Sequence, residues 1–359
     1  MAALWKNEIL IFLFANTLFV TLFNILSTDH NSSYSHRFVR PKPFFDHTHR
    51  HLINFNGFKY VIDNDVCKSC FNCTPILVHS YVGHFEFRRA IRRSYPQTVL
   101  DALGFRYVFM TGLPNSTDIQ SQLLGESSRH GDIVQGNFKE AYRNLTYKHV
   151  MGLKWYAERC LKSNRVVKMD DDIAVNLFKL KDVVERRDYD LAGCVINAKP
   201  IREKHNKWYV TREEFDGDTY PPFLSGWLYV ATSTSVTSLL RVIRQDNYFW
   251  IDDLYVTGIL AKIAQIDLLD LRLDFEVDPG SIYCCIKKQQ RCEFLAAPTG
   301  DNYTLLQQYS QQLTYCKMKN LPCDTYRKSK RHHSCLDLWK KSIVDTRIGK
   351  PSIEIINLI

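Results

Sequence analysis

From residue 76 onward, short apolar runs alternate with stretches whose apolar positions recur every three or four residues. Ile76 to Val82, Phe105 to Thr111, Asp132 to Gln135, Arg165 to Met169 and Leu191 to Ile196 are predicted strands. Between them lie predicted helices at Glu86 to Arg93, Ile119 to Ser128, Tyr142 to Leu161 and Leu177 to Arg186. The third carries Tyr142, Leu145, Val150, Leu153, Ala157 and Cys160 along one side. Strands alternating with helices at this spacing predict an α/β sandwich on a largely parallel sheet, whose ligands bind beyond the carboxyl ends of the strands.

Two regions depart from this rhythm. Ile9 to Leu26 is an uncharged apolar run long enough to cross a hydrocarbon core, and predicts a membrane anchor behind a short cytosolic tail of residues 1–8. Residues 27–59, rich in His, Pro, Ser and Arg, are predicted to be a stem, with four clustered histidines (His36, His47, His49, His51) that suit a solvated linker or a metal site. Ordered structure is expected from near Tyr60, with a globular domain over 60–300 and a cysteine-containing extension over 301–359.

The chain has 359 residues, 45% of them hydrophobic, and a net charge of +9. Such a balance suits anionic partners, while the absence of a basic stripe interleaved with aromatics argues against a nucleic-acid groove. Arg37, Arg40 and Lys42 after the apolar run would by themselves place the body in the cytosol. Five N-x-S/T sequons (Asn31, Asn72, Asn115, Asn144, Asn302) and eleven cysteines outweigh them and predict a lumenal, glycosylated body of type II topology. CKSCFNC (Cys67, Cys70, Cys73) suits disulfides or a zinc site, and an odd cysteine total leaves one thiol free or available to an oligomer.

The sharpest chemical signal is RVVKMDDDIAVN, where a buried strand runs into Asp170, Asp171 and Asp172. Uncompensated carboxylates this close repel, so either they are solvated or a cation belongs there. Side chains two apart on an extended backbone share a side, so Asp170 and Asp172 suit one divalent ion, Mn²⁺ or Mg²⁺. A helix N-terminus capped by Asp172 is the alternative.

RRAIRRSYP (88–96), FRYVFMTG (105–112), GDIVQGNFKEAYRNLTYKHVMGLKW (131–155), VVKMDDDIAVN, YPPFLSGWLYV (220–230) and IDDLYVTG (251–258), in this order, resemble the β-1,3-galactosyltransferase family. That family groups Golgi hexosyltransferases. The resemblance implies a GT-A fold, a UDP-sugar donor, a metal-bound diphosphate and an inverting transfer of galactose or an N-acetylhexosamine to the 3-hydroxyl of a glycan on protein or lipid. A catalytically inactive, glycan- or partner-binding relative is the alternative.

Arg88, Arg89, Arg92, Asp170 and Asp171 are then expected at the donor, and Asp170 and Asp172 at the metal. Tyr220, Pro221, Pro222, Ser225 and Gly226 are expected to form a turn walling the sugar site, beside Trp227, in a motif that reads SGWLYV where the family usually has SGxGYV. Asp253 aligns with the family's catalytic base. Asp252 is its paired carboxylate, and an N-cap for the predicted Leu254 to Ile266 helix is the structural alternative. Some GT-A relatives add a late histidine to the metal, and here only His332 and His333 follow Asp253.

Overall fold

The computed structural model describes residues 51–68, 73–244, 248–290 and 292–318. The apolar run at 9–26, most of the stem, and His332 and His333 lie outside them. Among the described residues no helix is long and apolar enough to cross a membrane.

A two-stranded hairpin, β1 (His51–Leu52) and β2 (Phe55–Asn56), precedes β3 (Tyr60–Ile62). Leu52 and Phe58 are buried, so the fold begins about ten residues before the sequence pattern suggests. There follow β4 (Thr74–His79), α1 (Phe85–Ser94), α2 (Gln97–Leu103), β5 (Phe105–Leu113), α3 (Thr117–His130), β6 (Ile133–Lys139) and α4 (Leu145–Arg159). Next come β7 (Arg165–Asp170), β8 (Ile173–Val175), α5 (Leu177–Glu185), β9 (Leu191–Ile196), β10 (Phe223–Thr232) and α6 (Ser233–Arg241). A π-helical run, Leu254–Leu260, passes into the short α7 (Ala261–Ile263), and β11 (Leu268–Asp270), α8 (Pro279–Lys287), β12 (Ala296–Pro298) and α9 (Tyr303–Met318) complete the order.

Eight strands form one sheet in the order β11-β9-β10-β7-β4-β5-β6-β3. The centre, β7-β4-β5-β6, is parallel. β10 runs antiparallel to both β7 and β9, and β3 antiparallel to β6. The sheet is therefore mixed rather than largely parallel, because the long 197–222 connection returns the chain without a crossover helix. All six residues of β4 are buried, as expected of a central strand covered on both faces.

α4 differs most from its expected face. It is preceded by a 3₁₀ turn, Tyr142–Asn144, and Thr146, Lys148 and His149 are buried beside Val150, Met151 and Leu153. α9, expected to be an extension, buries Leu305, Leu306, Tyr309 and Leu313 and belongs to the body. Cys67 is bonded to Cys160 and Cys285 to Cys292, so Cys67 is not a zinc ligand. Cys73, Cys284 and Cys316 are also disulfide-bonded, and Cys194 is the free thiol among the described residues.

Candidate active site

β4 and β7 lie in parallel register with His79 opposite Asp170, so the aspartate triplet sits at the carboxyl edge of the sheet's centre. Within β7 the sequence supplies its own first counter-charge. Lys168, two residues before Asp170 and on the same side of the strand, is buried, and its Nζ lies 2.6 Å from Asp170 Oδ1. His84, in the loop leading to α1, places Nδ1 2.9 Å from Asp171 Oδ2. Burial works against charge on that imidazole, but the Asp171 carboxylate outweighs it and raises the pKa.

Asp172 is left over. Burial first, then the negative charges of Asp170, Asp171 and Asp301, push its carboxyl up to about 7. It does not cap a helix: β8 intervenes, and Asn176 accepts from the Phe178 and Lys179 backbone amides at the start of α5. The backbone carbonyl of Asp172 is tied by the Thr299 amide and hydroxyl at 3.0 and 2.8 Å, which fixes the loop. Hard oxygen donors with one carboxylate uncompensated fit a divalent cation.

The second pair of carboxylates opens the π-helical run. Asp252 Oδ2 lies 2.9 Å from His149 Nδ1, and the other ring nitrogen of His149 lies 2.6 Å from the Tyr229 hydroxyl. Although burial raises the pKa of Asp252, its bond to His149 and the charge of Lys168 outweigh this and hold it below the usual carboxylate range. Asp253 has the opposite balance. Burial and the neighbouring Asp252 charge push it up to about 7, against the pull of Lys168 and two backbone amides. Those amides are Leu254 N–H, 2.9 Å from Oδ1, and Gly226 N–H, 3.2 Å from Oδ2. The capping role expected as an alternative is thus present, and it uses only one of the two oxygens.

One residue joins the two carboxylate groups. Gly226 donates its N–H to Asp253, and its carbonyl accepts from Lys168 Nζ, which also holds Asp170. A side chain at Gly226 would meet Lys168 Nζ at 3.1 Å and Asp253 Oδ2 at 3.5 Å, so a larger residue would have to displace the lysine by a few tenths of an ångström.

Several expected site residues have other surroundings. Ser225, Gly226 and Trp227 do not form a turn: they open strand β10, with a register irregularity against β9 between Leu224 and Tyr229. Trp227 is half-buried against the core, and Tyr220 stacks edge-on against Phe215 and Phe223. Pro222 immediately precedes the strand, as suits a residue lacking a donor.

Arg88 is fully buried and bonded to Glu126, Ser80 and the carbonyls of Tyr81 and Val82, while Arg92 is bonded to Asp132 and Glu126. Both tie α1 to α3, Arg88 also to the β4–α1 loop and Arg92 to the α3–β6 connection. Arg89 alone of the three is exposed, and it joins His84, Phe87, Gln122, Arg129 and Tyr303 around a cleft of about 550 Å³.

Lys168, His84 and His149 carry no motif of their own. The signals were a lysine two places before the triplet in a buried strand, and a Lys148–His149 pair inside an apolar helix. His79, His149 and Asp252 also gather one ligand atom each within 4.8 Å of one another. Of the sequons among the described residues, Asn115 is exposed, Asn144 donates to the Lys139 carbonyl, and Asn302 caps α9 through the Thr304 and Leu305 amides.

A mixed α/β sheet with clustered carboxylates at the carboxyl edge of its parallel centre suits a group-transfer enzyme. The galactosyltransferase family profile matches residues 86–272, and the chain belongs to this family of glycosyltransferases. Mouse beta-1,3-galactosyltransferase 5 is 32% identical over 228 residues, covering 61% of this chain and 74% of the relative. Human beta-1,3-galactosyltransferase 1 is 30% identical over 240 residues, covering 64% and 73%. A crystal structure of galactosyltransferase LgtC with donor and acceptor sugar analogs aligns at 8% identity with a TM-score of 0.35, covering 73% of this chain and all of that one.

Proposed function

We propose that this glycosyltransferase moves a hexose, galactose or an N-acetylhexosamine, from a UDP-sugar to the 3-hydroxyl of an acceptor glycan with inversion, on a GT-A type fold. The names of its relatives support galactose and the β-1,3 linkage. The observation that carries the reading is Asp253: a carboxyl at the sheet's carboxyl edge, oriented by two amides and pushed up to about 7. A general base works best with a pKa near the working pH.

In this reading, Asp253 takes the proton of the acceptor hydroxyl as its oxygen bonds to the anomeric carbon. The bond from that carbon to UDP breaks on the opposite face, and the electron pair leaves with UDP. Asp252, held ionised by His149, keeps the base close to neutral pKa. Asp170 and Asp172 would hold Mn²⁺ or Mg²⁺, which supplies charge stabilisation for the leaving diphosphate. Lys168 orients Asp170, and His84 orients Asp171. The exposed Arg89 and the cleft it lines are available to the donor's anionic part, a role that Arg88 and Arg92 cannot share while bound to Glu126 and Asp132.

The apolar run at 9–26 supports a membrane anchor, and the five sequons and the disulfides support a lumenal, oxidising surrounding for the body, as for a Golgi membrane protein of type II. The reaction is tested by following UDP release from a panel of UDP-sugars with Mn²⁺, with and without β-galactoside and β-N-acetylhexosaminide acceptors. Acceptor-dependent release from at least one donor is expected. No release from any donor overturns the reading.

A further inference from the structure

The 197–222 connection between β9 and β10 is a built structure. Arg202 donates to the carbonyls of Val210, Phe215 and Gly217 at 2.8, 2.8 and 3.0 Å, drawing the loop around one guanidinium. Two contacts fasten it beside the active site. Glu214 pairs with Arg143, and Trp208 Nε1 donates to the Tyr142 hydroxyl at 2.9 Å.

The result is an aromatic surface. Tyr142 is 42% exposed, Trp208 is half-buried, and Lys207 is exposed with its ammonium 4.4 Å from the Tyr142 ring centre. From beneath, Trp250 supports Tyr142 at 6.0 Å between ring centres, with Arg143 over the Trp250 ring at 4.4 Å. Trp250 is two residues from Asp252 and three from Asp253, so this surface borders the carboxylate pair. The charges of Asp253, Asp252 and Asp170 reach the Tyr142 hydroxyl and add to burial in raising its pKa.

A pyranose ring has an apolar C–H face and a rim of hydroxyls. The negative face of an aromatic ring attracts the positive C–H edge, and polar groups around it receive the hydroxyls. A base must also lie within hydrogen-bond reach of the hydroxyl it deprotonates, which places the acceptor sugar, rather than the nucleotide, next to Asp253.

We propose that Tyr142 and Trp208 form the platform on which the acceptor's sugar ring stacks, with Lys207 displaced from the Tyr142 face to the sugar's hydroxyl rim. This rests on the transfer reaction proposed above and names its acceptor subsite. The displaced contact is an exposed cation–π pair, among the weaker interactions a ligand has to replace.

The test uses Tyr142→Ala, Tyr142→Phe and Trp208→Ala in the full chain. Each alanine variant is expected to raise the acceptor KM about tenfold, the scale of one aromatic contact, while the KM for the UDP-sugar stays within about twofold, well inside that scale. Tyr142→Phe keeps the ring and recovers most of the acceptor affinity lost in Tyr142→Ala. A second readout does not need turnover: saturation-transfer NMR with methyl β-galactoside and methyl β-N-acetylglucosaminide in the presence of UDP. Wild type transfers saturation mainly to the C–H protons of one sugar face, and Tyr142→Ala abolishes it. Equal NMR signals in wild type and Tyr142→Ala, or an equal loss of UDP-sugar affinity in the alanine variants, overturn the platform. Absence of turnover with every donor, with the NMR contrast intact, sinks the transfer reading and leaves the sugar site standing.

Discussion

Lys168 and Asp170, two residues apart on β7, form an ion pair of 2.6 Å between a fully buried ammonium and the first carboxylate of the triplet. The lysine answers for one of three clustered negative charges, and its second bond, to the Gly226 carbonyl, extends that influence to the strand alongside.

Removing the cation alone is costly, because it strands a carboxylate at the site. Lys168→Met is expected to lose about 2 kcal/mol of stability in urea denaturation, less than for a fully buried pair because the Asp170 side chain is 35% exposed. Adding Asp170→Asn to the same chain recovers most of that loss. A double variant no more stable than the single one would mean that Lys168 acts through Gly226 and not through Asp170.

Among the described residues no cation pairs with Asp172, so neutralising it relieves repulsion. In EDTA at neutral pH, Asp172→Asn is expected to be more stable than wild type by about 1–2 kcal/mol, after discounting for partial exposure. Mn²⁺ raises the melting temperature of wild type and leaves the variant unmoved. Equal responses to Mn²⁺ would remove Asp172 from the metal site.

The carboxylate pair gives a pH prediction. Asp253 acts as a base only when ionised, and its pKa is raised, so transfer should be present above about 7 and lost as the pH falls through it. Asp253→Asn loses about 10²- to 10⁴-fold in turnover, the usual value of general-base help. Because Asn offers one acceptor where the native carboxylate serves two amides, this variant also loses a little stability. Asp252→Asn removes a neighbouring negative charge, which lowers the pKa of Asp253 and moves the rate profile toward acid. It also turns the charge-assisted bond to His149 into a neutral one, so it is expected to be the less stable of the two variants. A profile midpoint that stays in place in Asp252→Asn would break the coupling between the two groups.

Gly226→Ala probes the joint between the two carboxylate groups. The added methyl presses on Lys168 Nζ at 3.1 Å, while its distance from Asp253, 3.5 Å, is ordinary contact. Turnover is expected to fall about tenfold or more through displaced catalytic geometry, with a stability loss near 1 kcal/mol from local overpacking. Parallel kinetic and thermal measurements separate the two effects, and wild-type turnover would show that the lysine moves freely.

The strands and helices were legible because strands buried on both faces form unbroken apolar runs, and helices beside them keep a regular stripe. The triplet and the Asp252–Asp253 pair were legible as acid clusters at element ends. Their partners were not. His84 and His149 lie singly in loop or apolar surroundings, and their pairing depends on tertiary contacts 87 and 103 residues apart in sequence, whereas Lys168, two residues from Asp170, was obscured by the apolar strand around it. Arg88 looked like a ligand-binding cation because Glu126, 38 residues away, carries no mark as its partner. Tyr220 to Gly226 looked like a turn because paired prolines signal one, whereas strand β10 begins directly after them.

The bond between Cys67 and Cys160, 93 residues apart, encloses β4, β5, β6 and α1 to α4. Everything it encloses is synthesised before Lys168, the aspartate triplet and Asp253, and so emerges from the ribosome ahead of them. Domains commonly fold from the N-terminus as they are synthesised, so half of the sheet can close covalently ahead of the catalytic half that emerges behind it. At that stage β4 has β5 on one side and an open edge on the other, and an open edge is the part of a sheet most prone to pair wrongly. The strand that covers it is β7, which carries Lys168 and ends at Asp170. Docking of the catalytic strand is therefore also the step that ends the nascent chain's exposure to mispairing.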